Sequence, residues 1–236
     1  MLKRFLGSIA CAASLFSGMP AVAADSASLN VLGYSPDGKV FAFEEYGIQD
    51  GSGFPYSNIY FLDIDKDAFV TGTPIRVRIE DEEASLAKAR SAATSKSAPL
   101  AAKYRLGEHP GVMVAYNPTS EADSDPHKVR YHGFMQSPPS DPPYTLVLAE
   151  KEYPPTSDCL NMTGNFTGFS LKLTERGGKP ADIVVHDDKT IPKSRNCPNG
   201  YRIGAVIAPV TLDAPQMAMI LVESFGFEGN DQRWIA

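Results

Sequence analysis

Cysteine is scarce in this 236-residue chain, with three in all: Cys11, Cys159 and Cys197. Histidine is scarce too. His109, His127, His132 and His186 show neither HExxH nor His-x-His spacing, so no metal site and no cofactor is expected. Walker-type and dinucleotide-type glycine loops are absent. Gly51-Ser52-Gly53 is not the Gly-x-Ser-x-Gly of a nucleophile elbow. Beyond the amino-terminal stretch, no apolar run is long enough to cross a membrane. Positive charge is in deficit, with 22 Lys and Arg against 28 Asp and Glu. An acidic chain repels phosphate backbones and anionic lipid, which argues against nucleic-acid and membrane-surface roles.

What is present begins with an address. Lys3 and Arg4 precede the apolar run Phe5–Met19, then Pro20, then Ala21-Val22-Ala23-Ala24. This is the three-part pattern of a secretory signal peptide over residues 1–24, with an A-x-A site just before Asp25. The run is too short and too rich in Ser, Gly and Ala for a membrane anchor, and Ser8-Ile9-Ala10-Cys11 lacks the Leu of a lipobox. Removing residues 1–24 takes Lys3, Arg4 and no acid, so the net charge moves from −6 to −8. Cys11 leaves as well. In an oxidising compartment the remaining pair, Cys159 and Cys197, most simply forms one disulfide. The expected location is outside the cytosol: secreted, and more narrowly periplasmic, with no membrane anchor after cleavage.

The chain after the leader reads as strands and turns. Ser35-Pro36-Asp37-Gly38 is a tight-turn sequence, since Pro presets φ and Asp-Gly supplies an acceptor and a residue tolerant of positive φ. The flanking runs Val40–Phe43 and Ile59–Leu62 are rich in β-formers, and Ile75–Ile79 alternates with period 2. Texture changes at Asp81, where an Ala-, Lys- and Arg-rich run predicts one helix through Ala93 and a second from Pro99 to Leu106. Strands resume at Val112–Tyr116 and Val129–Phe134. The four prolines of residues 137–143 predict an extended connector between an N-terminal β lobe (25–136) and a C-terminal β lobe (144–236), the two also being readable as one domain. Within 144–236, strands are expected near 144–151, 168–174, 183–186, 201–208 and 217–223. The last is almost wholly apolar and should be covered on both faces. The fold class is therefore mainly β: antiparallel sheets in blade-like or sandwich packing, with a small helical insertion at 81–106.

Chemistry-bearing motifs are few. Asp63-Ile64-Asp65-Lys66-Asp67 opens like a calcium loop, but Ala68 replaces the required Gly and Pro74 the bidentate Glu, so a strand end and hairpin turn explain these acids. Ser85-Leu86-Ala87-Lys88 matches Ser-x-x-Lys without the later motifs that accompany it in penicillin-recognising enzymes. Asn161 and Asn165 begin formal glycosylation sequons. One constellation carries more. Phe41, Phe43 and Glu45 share one face of a strand while Ala42 and Glu44 take the other. If the phenylalanines face the core, Glu45 is carried inward and must be paired or hydrogen-bonded, with Arg195, Arg202 and Arg233 as candidate partners. Glu45, with Asp50, Tyr46 and Tyr56 at its rim, reads either as a binding cleft or as a structural ion pair holding a Gly-rich loop.

Several phrases carry a resemblance: Gly33–Gly38, Phe41–Gly47, Gln49–Tyr56, Pro192–Pro198 and Gly226–Gly229. On these the chain resembles a bacterial family of predicted secreted proteins with a domain of unknown function (domain of unknown function 2259). The resemblance implies export and a shared fold, and it transfers no catalytic residue. The expected function is a non-catalytic binding or interaction module, its partner an envelope protein or a small ligand. The alternative is a carboxylate-dependent hydrolase of envelope glycan using Glu45 with Glu44, Asp50 or Glu223.

Overall fold

The structure, a computed structural model, describes residues 24–155, 159, 166–209, 213–226 and 229–236. Apart from Ala24, the predicted leader lies outside the described residues, as do Asn161 and Asn165. Every strand pairing within the sheets is antiparallel. The first sheet runs β1 (Ser28–Tyr34), β2 (Val40–Ile48), β3 (Pro55–Asp63), β4 (Ala68–Phe69), with β5 (Ile75–Arg78) also on β3. Helix α1 (Leu86–Lys103) follows. The remaining strands are β6 (Val112–Tyr116), β7 (Lys128–Tyr131), β8 (Tyr144–Tyr153), β9 (Phe166–Arg176), β10 (Lys179–Asp187), β11 (Pro198–Ala208), β12 (Met217–Phe225) and β13 (Asn230–Ile235). They form a central sheet ordered β13-β12-β11-β6 and an outer sheet ordered β10-β9-β8-β7.

Burial explains the stacking. Phe41, Phe43 and Tyr60 of the first sheet pack with Met219, Leu221 and Trp234 of the central one. On the other face of the central sheet, Ile203, Ile220 and Val222 pack with Leu148, Phe169 and Leu171 of the outer one. Strand β12 thus alternates its side chains between two cores, which is why its sequence is apolar almost throughout. The far face of the first sheet, Ala42, Ile59 and Phe61, meets Ala89 and Ala93 of α1. Alanine at the contact lets a helix of little amphipathic character approach the sheet closely.

Strand β11 also serves both cores, and it slips phase along its length. Ile203 faces the outer core and Ala205 the inner one, with a register shift between them at Gly204. A Cβ at Gly204 would stand 2.5 Å from Cη2 and Cζ3 of Trp234, so the missing side chain is what admits the indole.

Three expectations change. The two predicted helices are one, running through Pro99. Ala92 before the proline and Leu100 and Ala101 after it pack on the same core, and this tertiary burial offsets the lost backbone bond. The acids at 81–83 precede the helix. Its N-cap is Ser85, whose side chain accepts from the Lys88 N–H at 3.3 Å, which accounts for the Ser-x-x-Lys match. Second, the proline-rich segment 137–143 sits inside one sheet: Tyr131 pairs with Tyr144, so it belongs to the β7–β8 hairpin loop. The loop is closed by the Gly133 N–H on Asp141 Oδ2, 2.6 Å. Prolines suit a wide loop because it asks for no ladder bonds. Third, β13 carries no alternation strong enough to be read from sequence. It exists because the backbone of Met217–Phe225 pairs with it from Ile220↔Ile235 to Phe225↔Asn230.

Cys159 and Cys197 are joined, with Cα atoms 5.8 Å apart across a separation of 38 residues. The bond ties the segment before β9 to the residue before β11.

Candidate functional site

A cleft of about 570 Å³ opens where all three sheets meet along β13. Phe43, Tyr60 and Phe69 supply one wall, and Phe169, Leu171 and Val185 the other. Met217, Ile220 and Trp234 form the floor. A second space of about 350 Å³ adjoins it and contains Glu45, Asn58, Arg76 and Arg233. The two share Tyr60, Phe69, Ser194, Arg195, Trp234 and Ile235, so they form one cleft with an apolar end and a polar end.

Glu45 is 1% exposed, carried inward with Phe41 and Phe43 as the strand alternation requires. Its Oε1 accepts from Asn58 Nδ2 at 2.9 Å and from the Tyr60 hydroxyl at 2.6 Å. Its Oε2 accepts from the Trp234 backbone N–H at 3.0 Å. None of the three candidate arginines forms an ion pair with it. Arg195 binds Asp188, Arg233 binds Asp25, and Arg202 bonds Asn117, Pro118 and Ser124. Burial, then the adjacent Glu45 carboxylate, pushes the Tyr60 hydroxyl well above the usual phenol range, so Tyr60 stays protonated and donates.

The other residues of the predicted rim separate. Tyr56 is buried close by: its hydroxyl donates to Asp25 Oδ1 at 3.0 Å and accepts from Arg233 Nη1 at 2.8 Å. Tyr46 points to the helix side of the sheet, where the Arg90 guanidinium lies 3.8 Å from its ring centroid. Asp50 is exposed and accepts from the Gly51 N–H. Glu44 also faces α1 and takes a two-pronged contact from Arg90, Nε to Oε1 at 2.9 Å and Nη2 to Oε2 at 2.8 Å, with Asn30 and Ser57 completing its bonds.

A cluster that sequence reasoning missed stands at the junction of the two ends. Asp188, 3% exposed at its side chain, takes Arg195 Nη1 at 2.6 Å, the Phe169 N–H at 2.8 Å and His186 Nε2 at 2.8 Å. Arg195 lies over the rings of Phe169 and Tyr201, and His186 stacks on Phe169. His186 is thus a member of this network. The available signal was the phrase Pro192–Pro198, which contains Arg195 and ends beside the disulfide.

Two buried carboxyls give a pH dependence. Burial alone would raise Glu44 and Asp188. The Arg90, Asn30 and Ser57 bonds at Glu44, and the Arg195, Phe169 and His186 bonds at Asp188, outweigh it and hold both below the usual carboxylate range. Depressed folded-state values stabilise the protein above the unfolded-chain values, about 3.9 for Asp and 4.3 for Glu, and that stability is lost as pH falls through the folded values. The urea midpoint is expected to decline as pH drops below about 4.5. Glu44→Gln should flatten the decline, and an unchanged slope in that variant would contradict the assignment.

The model of a family described as Predicted secreted protein (DUF2259) matches residues 42–236. No curated protein and no solved structure matches the chain.

Proposed function

The chain belongs to this family of predicted secreted proteins, and from that premise we propose that the mature protein works in the periplasm as a non-catalytic binding module. Its ligand is a small molecule with an apolar body and an acidic head, held in the cleft along β13. The observation that carries this reading is the cleft itself. About 570 Å³ falls within the range of small-molecule sites, which are mostly apolar with a few placed polar groups. The head group belongs at the polar end. There Arg195 and Arg233 already have carboxylate partners, whereas Arg76 has no ion pair among the described residues and is the cation with charge to offer.

The hydrolase alternative is less well supported. Glycosidase carboxyls face one another across a cleft at about 5–10 Å. Glu44 stands on the opposite side of the sheet from Glu45, and neither Asp50 nor Glu223 lines the cleft.

Trp234, the single tryptophan of the chain, lines both ends of the cleft and serves as reporter. Dodecanoate is expected to change its fluorescence saturably, dodecanol more weakly, and acetate not at all. Arg76→Ala should weaken dodecanoate about tenfold, the loss of about 1.4 kcal/mol, and leave dodecanol unaffected. No saturable change with either twelve-carbon probe, together with no thermal shift, would rule out this cleft as a site for such ligands.

A further inference from the structure

We propose that cutting the Ala24–Asp25 bond completes a charge network that locks the mature amino terminus onto the carboxy-terminal strand. The proposal rests on the leader reading and is independent of any ligand.

Asp25 is buried, 5% exposed. Its N–H donates to Asp231 Oδ1 at 3.0 Å, and its carbonyl accepts from the Gln232 N–H at 2.8 Å. Its carboxylate forms an ion pair with Arg233 and accepts from the Tyr56 hydroxyl. Two residues on, the Ala27 N–H donates to the Gln232 carbonyl at 3.0 Å, and Ser26 bridges Gln232 in parallel register. Residues 25–27 therefore lie along β13. The corner is tight. A Cβ at Gly226 would stand 2.8 Å from Asp231 Oδ1, and one at Gly229 3.3 Å from the Ala24 Cβ.

Before cleavage, Asp25, Asp231 and the nearby Glu45 bring three negative charges to this corner and Arg233 one positive. Hydrolysis by a signal peptidase adds water across the amide. Ala24 departs with the new carboxylate, and the Asp25 nitrogen keeps two further protons as an α-ammonium. That nitrogen is the atom already 3.0 Å from Asp231 Oδ1. A hydrogen bond from an uncharged amide to the Asp231 carboxylate becomes an ion pair between an ammonium and that carboxylate, and the excess negative charge of the corner falls. Because the folded corner buries Asp25 and engages its nitrogen, the cut precedes docking of the terminus.

The test compares the mature chain beginning at Asp25 with the same chain carrying Gly-Ser ahead of it. The native terminus is expected to melt about 3–6 °C higher, the shift a protein of this size shows for such a contact. Its α-amine should react with an acylating reagent at pH 7 about tenfold more slowly than that of the extended chain, one pKa unit of protection or its equivalent in burial. Asp231→Asn, made in both chains, should erase the melting difference. Equal melting of the two chains would overturn the lock, as would a difference that Asp231→Asn leaves unchanged, which would mark a steric effect of the extension. Should Asp231→Asn not fold, the α-amine of the unsubstituted chain decides: reactivity equal to that of the extended chain refutes the proposal. An exported protein whose first residue is other than Asp25 refutes it too.

Discussion

Replacing Asp188 by asparagine is expected to lower the unfolding free energy by about 3–5 kcal/mol, the cost of removing one partner from a buried ion pair. Arg195 is 7% exposed at its side chain and cannot turn to water without leaving the rings of Phe169 and Tyr201. Asparagine keeps the shape and one acceptor oxygen, so the loss reports charge more than volume. The Phe169 N–H and His186 also lose part of a shared acceptor, which couples the change to β9 and β10. Urea unfolding at pH 7 measures it. A loss below about 1 kcal/mol, the range of exposed pairs, would mean that the Arg195 guanidinium finds solvent and that the network does not hold the wall of the cleft. A second variant separates charge from packing. Asp188→Asn combined with Arg195→Met removes both charges and should recover part of the stability, since apolar replacement of a whole buried pair is often tolerated.

Glu45→Gln should cost about 2–4 kcal/mol, for a different reason. Three donors converge on the two carboxylate oxygens: Asn58, the Tyr60 hydroxyl and the Trp234 N–H. An amide offers one oxygen and one NH2. With the oxygen toward Asn58 and Tyr60 the NH2 meets the Trp234 N–H, and with the oxygen toward Trp234 both Asn58 and the Tyr60 hydroxyl must reorient to accept. The strain falls on Tyr60 and Trp234, which also line the cleft. Dodecanoate binding should therefore weaken alongside stability, although Glu45 itself would not touch the apolar body. Unfolding followed by Trp234 fluorescence and by far-ultraviolet circular dichroism reads both the local and the global change. A variant within about 0.5 kcal/mol of the parent, the scatter of ordinary surface changes, would show that the carboxylate is dispensable to this corner.

Both variants probe buried polar groups, and their legibility differed. The inward turn of Glu45 follows from its place two residues beyond Phe43 on an alternating strand, a purely local fact. Its partners do not. Asn58 and Tyr60 are 13 and 15 residues away and Trp234 is 189. Sequence offers several arginines of equal merit and nothing to rank them, whereas the register Glu45↔Asn58 places a side-chain amide opposite the carboxylate. Asp188 had no local pattern at all. Its burial depends on Arg195 folding back from the turn before Cys197.

By itself the sequence determined the strand character, the turn at Ser35–Gly38, the two-faced burial of β12 and the pairing of Cys159 with Cys197, because each depends on side-chain alternation, backbone φ preference or a count of thiols. Tertiary structure alone decided that one helix runs through Pro99, that residues 137–143 close a hairpin, that Asn230–Ile235 is a strand and that Asp25 meets Arg233 across 208 positions of sequence. Those outcomes turn on which surfaces become neighbours when three sheets stack, and a residue's own chemistry carries no record of what will be packed against it.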